Sequence, residues 1–411
     1  MESLSAVVRR CALLLLLCAT SAQAETAPGQ WAGWLQQQIN NLPASRAINA
    51  EQERWLAENR DAAQPLYNPA LNIGYENSAD TTRTIGLSQT LDWSGKARAN
   101  RDAVAVRDTL AQLRADKARA SLLADSLNAL VAFDAARARL AATRQQEQQL
   151  SALSDLIRRR EQAGDLGQVD AQLAWLSLAQ TQQALAEAES DATAAATRLR
   201  QVLASEQPGQ SLPAARYWQA LAVSTDASQR LPASFDLRLA QQQLALAEQG
   251  ATVANRQRRA DPTLGFSVGK EGDDNLWGVD ISLPLKLFNT GKAGYQAALA
   301  DSDARRALLE KTRTDIAARL DGALRDYQQR RARWQTWQQL TGDTLGRSDA
   351  LLERVWQQGE LTTQNYLQAL NQRLDTRLAG IALRDAMQQA WVQWLYESAQ
   401  LNDWLNALAN P

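Results

Sequence analysis

Two stretches of the chain alternate apolar and polar residues with a period of two, and each then runs into a helical pattern of unusual length. In the first stretch Leu71, Ile73 and Tyr75 alternate with Asn72, Gly74 and Glu76. After a polar turn from Asn77 to Thr81, Ile85, Leu87, Leu91 and Trp93 alternate with Gly86, Ser88, Thr90 and Asp92. In the second, Leu264, Phe266 and Val268 alternate with Gly265, Ser267 and Gly269. A turn from Glu271 to Asn275 follows, and Trp277, Val279, Ile281, Leu283, Leu285 and Leu287 then alternate with Gly278, Asp280, Ser282, Pro284 and Lys286. Period two predicts strands whose side chains point alternately to two faces. Each stretch therefore reads as a β-hairpin with one apolar face and one polar or small face.

The helical patterns are long. From Lys96 to Ala163 there is no proline, and Leu110, Leu113, Leu123, Leu127 and Leu130 recur at spacings of three and four. Some 70 residues of helix extend roughly 105 Å, far beyond the usual element of globular proteins. Gly164-Asp165-Leu166-Gly167 turns the chain, and a return helix is predicted from about Val169 to Ala204. In the second half a stripe of Ile316, Leu320, Leu324, Tyr327 and Trp334 predicts a helix up to Gln358. Gly359-Glu360-Leu361 turns it, and the return helix ends near Leu408.

The order is thus given twice. It divides the chain into an N-terminal helical segment 25–67, a β-hairpin 68–93, a helical hairpin 94–207 with its tip near residue 164, and a connector 208–233. A helix 234–260, a second β-hairpin 261–288 and a second helical hairpin 289–411 with its tip near residue 359 complete it. The class is mainly α with a small β part.

Composition narrows the chemistry. Residues 1–24 read as an export signal: Arg9 and Arg10, an apolar run from Cys11 to Ala19, and Ala22-Gln23-Ala24 before Glu25. A lipid-anchor reading of Cys18 is disfavoured by Leu17, which stands where a small residue is expected. Cys11 and Cys18 are the only cysteines, so the mature chain has no disulfide, and the chain has no histidine. Thiol nucleophiles, imidazole bases and soft-metal sites are excluded, which leaves a carboxylate-only metal site or carboxylate-pair catalysis open; with no catalytic constellation in the sequence, no cofactor, metal site or enzymatic activity is expected. A formal net charge of −1 argues against a nucleic-acid partner.

The hairpins pose a physical problem. In a soluble protein their apolar faces would pack on a core. In lipid they face outward, and every backbone group must then be paired, which requires a closed barrel. Four strands per chain are too few, because barrels begin at about eight. Two copies would give a plugged barrel and three a wider one, and the small, polar inner set favours three. A periplasmic coiled-coil or adaptor protein that never enters a membrane is the alternative.

The residues resemble the TolC-like family of outer-membrane efflux channels. The resemblance rests on Asn68-Pro69-Ala70-Leu71 and Asp261-Pro262-Thr263-Leu264 at the hairpin entries, on Leu91-Asp92-Trp93-Ser94-Gly95-Lys96 and Leu287-Phe288-Asn289-Thr290-Gly291-Lys292 at their exits, and on the two Gly-acid-Leu turns. It covers essentially the whole mature chain, in order and in duplicate. It implies a homotrimer in which a 12-stranded outer-membrane barrel continues into a periplasmic α-helical tunnel. It also implies a periplasmic adaptor and an inner-membrane efflux pump as partners, with drugs or metal ions as the exported cargo. By the same resemblance Gly164, Asp165, Leu166, Gly359, Glu360 and Leu361 form the periplasmic tip that docks the adaptor, and Asp170, Asn365 and Gln368 mark the pore constriction. Asn365 and Gln368 stand where some members carry acidic rings, and Leu361 where an arginine can occur, so neither a salt-bridged tip nor a strongly cation-filtering ring is implied.

Other motifs read more plainly. Gly95-Lys96 and Gly291-Lys292 lack the upstream glycine and the following Ser/Thr of a phosphate loop, and are expected to be strand-to-helix joints. Arg158-Arg159-Arg160 reads as a solvated helix face or an adaptor contact. Asp165 and Glu360 are placed to favour the return helices through the helix dipole. Trp93, Trp277 and Phe288 are either interfacial anchors or packing at the joint between strands and helices.

Overall fold

The computed structural model describes residues 28–77, 80–162, 168–205, 211–219, 224–342 and 351–409, apart from 353, 357 and 359. The expected signal segment 1–24, with Cys11 and Cys18, lies outside the described residues.

Helices α1 (Pro28–Asn41) and α2 (Pro43–Ala62) replace the single N-terminal helical segment. The break falls at Leu42, whose extended backbone (φ −66, ψ 144) is what the residue before a proline prefers. Strands β1 (Ala70–Asn77) and β2 (Thr81–Thr90) follow, then α3 (Lys96–Gln162), a helix of 67 residues and about 100 Å. The return helix α4 (Gln168–Leu203) leads through a connector to α5 (Phe235–Gln257). Strands β3 (Thr263–Glu271) and β4 (Asp274–Ser282), helix α6 (Lys292–Thr341), α7 (Thr363–Glu397) and α8 (Leu401–Ala409) complete the chain.

Helix α3 is matched end to end by two partners, α4 along one part and α5 along another; α5 and α7 lie along α6 in the same way, and α7 also packs on α3. The leucine stripes are the contact surface: Leu110, Leu113, Leu123, Leu127 and Leu130 are buried, as are Ile316, Leu320, Leu324 and Tyr327. One aromatic core ties the elements together. Trp31, Trp218, Trp391, Trp394 and Trp404 are fully buried there, Tyr327 lies 4.6 Å from Trp391, and Trp218 lies 5.2 Å from Trp404. The connector belongs to this core: the Trp218 indole N–H donates to Pro213 O, and the Trp404 indole N–H to Tyr217 O. Nearby, the Asp236 carboxylate clamps three helices by accepting from Lys117 Nζ at 2.5 Å and Arg319 Nη2 at 2.6 Å.

The return helix of the second half is not continuous. Ala399 adopts φ +54, and Gln400 N donates to Leu395 O at 2.8 Å, a left-handed stop of the kind that ends helices. Helix α6 ends at Thr341, with Gly342 at φ +25, so the helix predicted to reach Gln358 is interrupted. A glycine there removes the Cβ that would resist that conformation.

The strands form one antiparallel sheet in the order β1-β2-β3-β4. The β2–β3 pairing joins the two halves of the chain, with Leu87 opposite Phe266 and Ile85 opposite Val268. Strand β4 stops at Ser282, although the alternation in the sequence continues to Leu287. Pro284 has no N–H for a ladder, and residues 283–291 are irregular. The turn expected from Glu271 to Asn275 is tighter than its composition suggests. Only Gly272 and Asp273 separate the strands, with Gly272 at φ +59, a conformation that favours glycine.

Candidate functional site

The sheet has two unlike faces. One carries cross-strand rows of apolar side chains: Leu71, Leu87, Phe266 and Val279 in one row, and Ile73, Ile85, Val268 and Trp277 in the next. All eight are exposed, from 43% for Val268 to 76% for Ile73. Tyr75, Arg83, Lys270 and Asn275 form the row at the turn end. Past the other end, Leu91, Trp93, Leu283, Leu285, Leu287 and Phe288 extend the apolar zone, also exposed. Burying one such side chain is worth about 1.5–3 kcal/mol. Leaving eight of them in water thus forfeits on the order of 10 kcal/mol, comparable with the whole stability of a typical domain. This face is built for an apolar medium.

The opposite face is small and polar. Its rows read Ala70, Ser88, Gly265, Asp280 and Asn72, Gly86, Ser267, Gly278. A Cβ on Gly265 would sit 2.1 Å from the Asp280 carboxylate, so the missing side chain is what lets that carboxylate lie across the strand. Trp93 (70%), Trp277 (72%) and Phe288 (100%) are exposed in the single chain, and the Trp93 indole N–H donates to Ala260 O at 3.0 Å at the joint.

The sheet is fastened to the helices by a buried polar cluster that sequence inspection did not single out. Asp261, of the second entry motif, is buried and receives Lys96 Nζ at 2.8 Å, Ser94 Oγ at 2.6 Å and Tyr67 OH at 2.9 Å. Arg256 donates to Ser94 O at 3.0 Å. Gly95, at φ +72, sharpens the corner into α3. Asp92 then caps that helix by accepting from the backbone N–H groups of Lys96 and Ala97 at 2.8 and 2.7 Å, where a negative charge suits the helix N-terminus. Gly291 repeats the corner at φ +66 as the residue before α6. The Gly-Lys pairs are thus strand-to-helix corners. The signal for the cluster was present in the sequence as an Asp-Pro entry facing a Ser-Gly-Lys exit, but pairing them needs the β2–β3 register.

At the far end of the helices, Gly164, Asp165, Leu166 and Gly359 lie outside the described residues. Glu360 is exposed and Leu361 is half-buried, packed on a second apolar cluster that includes Leu150, Ile157, Ala174, Trp356, Tyr366 and Leu370. This cluster draws both helical hairpins together at one end. Trp356 stacks on Tyr366 at 5.0 Å, and Asn371 Nδ2 donates to Ser177 Oγ at 3.2 Å. Thr362, which the sequence reading passed over, caps α7 by accepting from Asn365 N at 3.2 Å. Asn365 and Gln368 are exposed in the first turns of α7, and the backbone of Asp170 lies in the first turn of α4. In the expected basic run, the Arg158 guanidinium lies 4.8 Å from the Trp175 ring and pairs with Asp155 at 3.7 Å.

Among the described residues, no helix is long and apolar enough to cross a membrane. The chain thus mounts one small sheet, built from two hairpins and carrying one apolar and one polar face, on two long helical hairpins.

Residues 34–205 match the family model described as outer membrane efflux protein. A search among curated proteins gives no match. Among solved structures, the chain is similar to the CmeC outer membrane channel of Campylobacter jejuni, at 14% identity over 91% of this chain and 88% of that one, with a TM-score of 0.74. It is similar to the outer membrane protein VceC of Vibrio cholerae at 16% identity over 90% and 96%, with a TM-score of 0.70. The open-state MtrE outer membrane channel of Neisseria gonorrhoeae matches at 15% identity over 90% and 89%, with a TM-score of 0.70. The resemblance to TolC-like efflux channels is thus present in sequence over the first half and in fold over about nine-tenths of the chain.

Proposed function

We propose that the protein is the outer-membrane channel of a tripartite efflux system, acting as a trimeric, passive conduit. The uncovered apolar face of a four-stranded sheet with two open edges carries this reading. One chain can neither bury that face nor pair those edges, whereas lipid and further copies do both. Three copies supply twelve strands. At about 4.8 Å per strand and a tilt near 40°, these enclose a ring about 24 Å across between backbones. Eight strands would enclose a ring that side chains fill. The small residues of the inner face suit the wider ring.

In this reading the export signal directs the chain to the outer membrane, residues 68–93 and 261–288 form the barrel, and the helical hairpins 94–207 and 289–411 cross the periplasm as a tunnel. The turns around Gly164, Asp165 and Leu166 and around Gly359, Glu360 and Leu361 dock a periplasmic adaptor, and Asp170, Asn365 and Gln368 line the constriction. An inner-membrane pump supplies the energy and hands over small substrates, drugs or metal ions. The clustering of both hairpin ends around Tyr366 and Leu370 supports a common tip. Reconstitution in planar bilayers tests the proposal: discrete conductance steps and binding to the cognate adaptor are expected. A purified protein with neither would refute it. Gly359→Pro is expected to abolish export while trimers persist, and normal export from that variant would remove the docking assignment.

A further inference from the structure

We infer that adjacent copies of the chain pair β4 with β1 in the register that the internal repeat dictates, with Ser282 of one copy opposite Asn72 of the next, Ile281 opposite Ile73, and Asp280 opposite Gly74. The inference rests on the trimeric channel proposed above. Within the chain, the seam between the two halves is β2–β3, and its register is known: Ser88 lies opposite Gly265 and Leu87 opposite Phe266. Aligning the halves by their entry motifs lays Asp261 on Asn68, and hence Gly265 on Asn72 and Phe266 on Ile73. The hairpin registers then lay Ser88 on Ser282 and Leu87 on Ile281. A seam between copies that repeats the internal one has only this register.

Three observations fit it. The apolar face stays continuous, because Ile281 meets Ile73 and Val279 meets Tyr75, all exposed on one side of the sheet. Asp280 gains glycine on both flanks: the carboxylate already occupies the space over Gly265, and Gly74, over which the Thr84 hydroxyl lies, adds no side chain of its own at the seam. Finally, tracing partners across the sheet takes Ala70 to Asp280 and the proposed seam takes Asp280 to Gly74. That is a shift of about 13 Å along the strand for about 19 Å of circumference, or a tilt of about 35°, within the range of closed barrels. Sliding by two residues either way preserves the faces but gives a tilt near 20° or near 47° instead.

The two cysteines lie at positions 11 and 18, inside the expected signal, so engineered pairs report without interference. Directly opposite residues have Cα atoms about 4.5–5.5 Å apart and diagonal ones about 7–8 Å, and a disulfide needs roughly 4.4–6.8 Å. Full-length protein carrying Asn72→Cys with Ser282→Cys, or Gly74→Cys with Asp280→Cys, is oxidised in membranes and run on non-reducing gels. The slid pairs Asn72→Cys with Asp280→Cys and Gly74→Cys with Ser282→Cys run beside it, and size measurement of the extracted particle checks assembly. Expected is at least a tenfold faster conversion to covalent oligomers for both in-register pairs. Trimers that link faster through a slid pair, or through none, overturn the register and leave the channel standing. Monomers that never link overturn the channel proposal and the register with it.

Discussion

Leu87→Arg separates a membrane-embedded sheet from a soluble one by a wide margin. Leu87 lies in the middle apolar row on an inner strand, between Leu71 and Phe266, and is 61% exposed in the single chain. If water covered that face, the substitution would remove an exposed leucine and present a charge to solvent, a change worth within about 0.5 kcal/mol. If lipid covers it, an arginine near the bilayer midplane costs about 2–4 kcal/mol per copy, so a trimer carries about 6–12 kcal/mol. Ser267→Arg is the matched control, since Ser267 lies on the polar face of the inner strand β3, paired across β2–β3 with Gly86 and away from both sheet edges, where lumen changes are tolerated. The assay is the amount of heat-resistant oligomer in isolated outer membranes on gels run at stepped temperatures. Leu87→Arg should lower the dissociation temperature or abolish accumulation, and Ser267→Arg should do neither. Equal behaviour of Leu87→Arg and the unaltered protein would refute the assignment of that face to lipid.

Further predictions follow from the helices and the joint. Burial by itself raises the pKa of Asp236, but the hydrogen bonds from Arg319 and Lys117 outweigh it and hold the carboxyl below the usual carboxylate range. Its stabilisation is therefore present above the unfolded value near 3.9 and fades as pH falls below it. Asp236→Asn should cost about 1–2 kcal/mol at pH 7, and its deficit in Tm should shrink in acid; a deficit that widened in acid would contradict the clamp. Trp394→Ala, at a fully buried position, should cost about 3–5 kcal/mol in denaturant unfolding, and a loss under about 1 kcal/mol would contradict the aromatic core. Gly95→Ala has space, with Arg256 Nη1 the nearest atom at 3.6 Å from the new Cβ, so its cost should be the left-handed backbone alone, about 1–2 kcal/mol. A neutral result would show that the corner into α3 relaxes freely.

The strand faces and the helix stripes were legible in the sequence because each element obeys one period: Leu71, Ile73 and Tyr75 for the strand, Ile316, Leu320, Leu324 and Tyr327 for the helix. Breaks were harder to see. The stop at Leu42 follows from Pro43, but the interruptions at Gly342 and Ala399 lie inside good helical patterns, and only backbone conformation reveals them. Strand β4 was overextended for the opposite reason: alternation to Leu287 looked regular, while the missing N–H of Pro284 ends the ladder. The clusters resisted reading because they are assembled from distant segments. Trp218 gave no periodic signal in its connector, and Asp261 acquires its partners Lys96, Ser94 and Tyr67 only when β2 and β3 come into register. At the tip the Gly-acid-Leu turns were conspicuous, yet the cap of α7 is Thr362, a small hydroxyl residue easily taken for part of the loop.

The central claim, lipid on one side of the sheet and water on the other, is tested most directly by nitroxide scanning of residues 84–88 of β2, one engineered cysteine at a time, in the reconstituted protein. Collision rates with oxygen should be high at 85 and 87 and low at 84, 86 and 88, with a water-soluble nickel chelate showing the reverse alternation. Uniform accessibility to the chelate along the strand, or protection of both sets from both reagents, would contradict it.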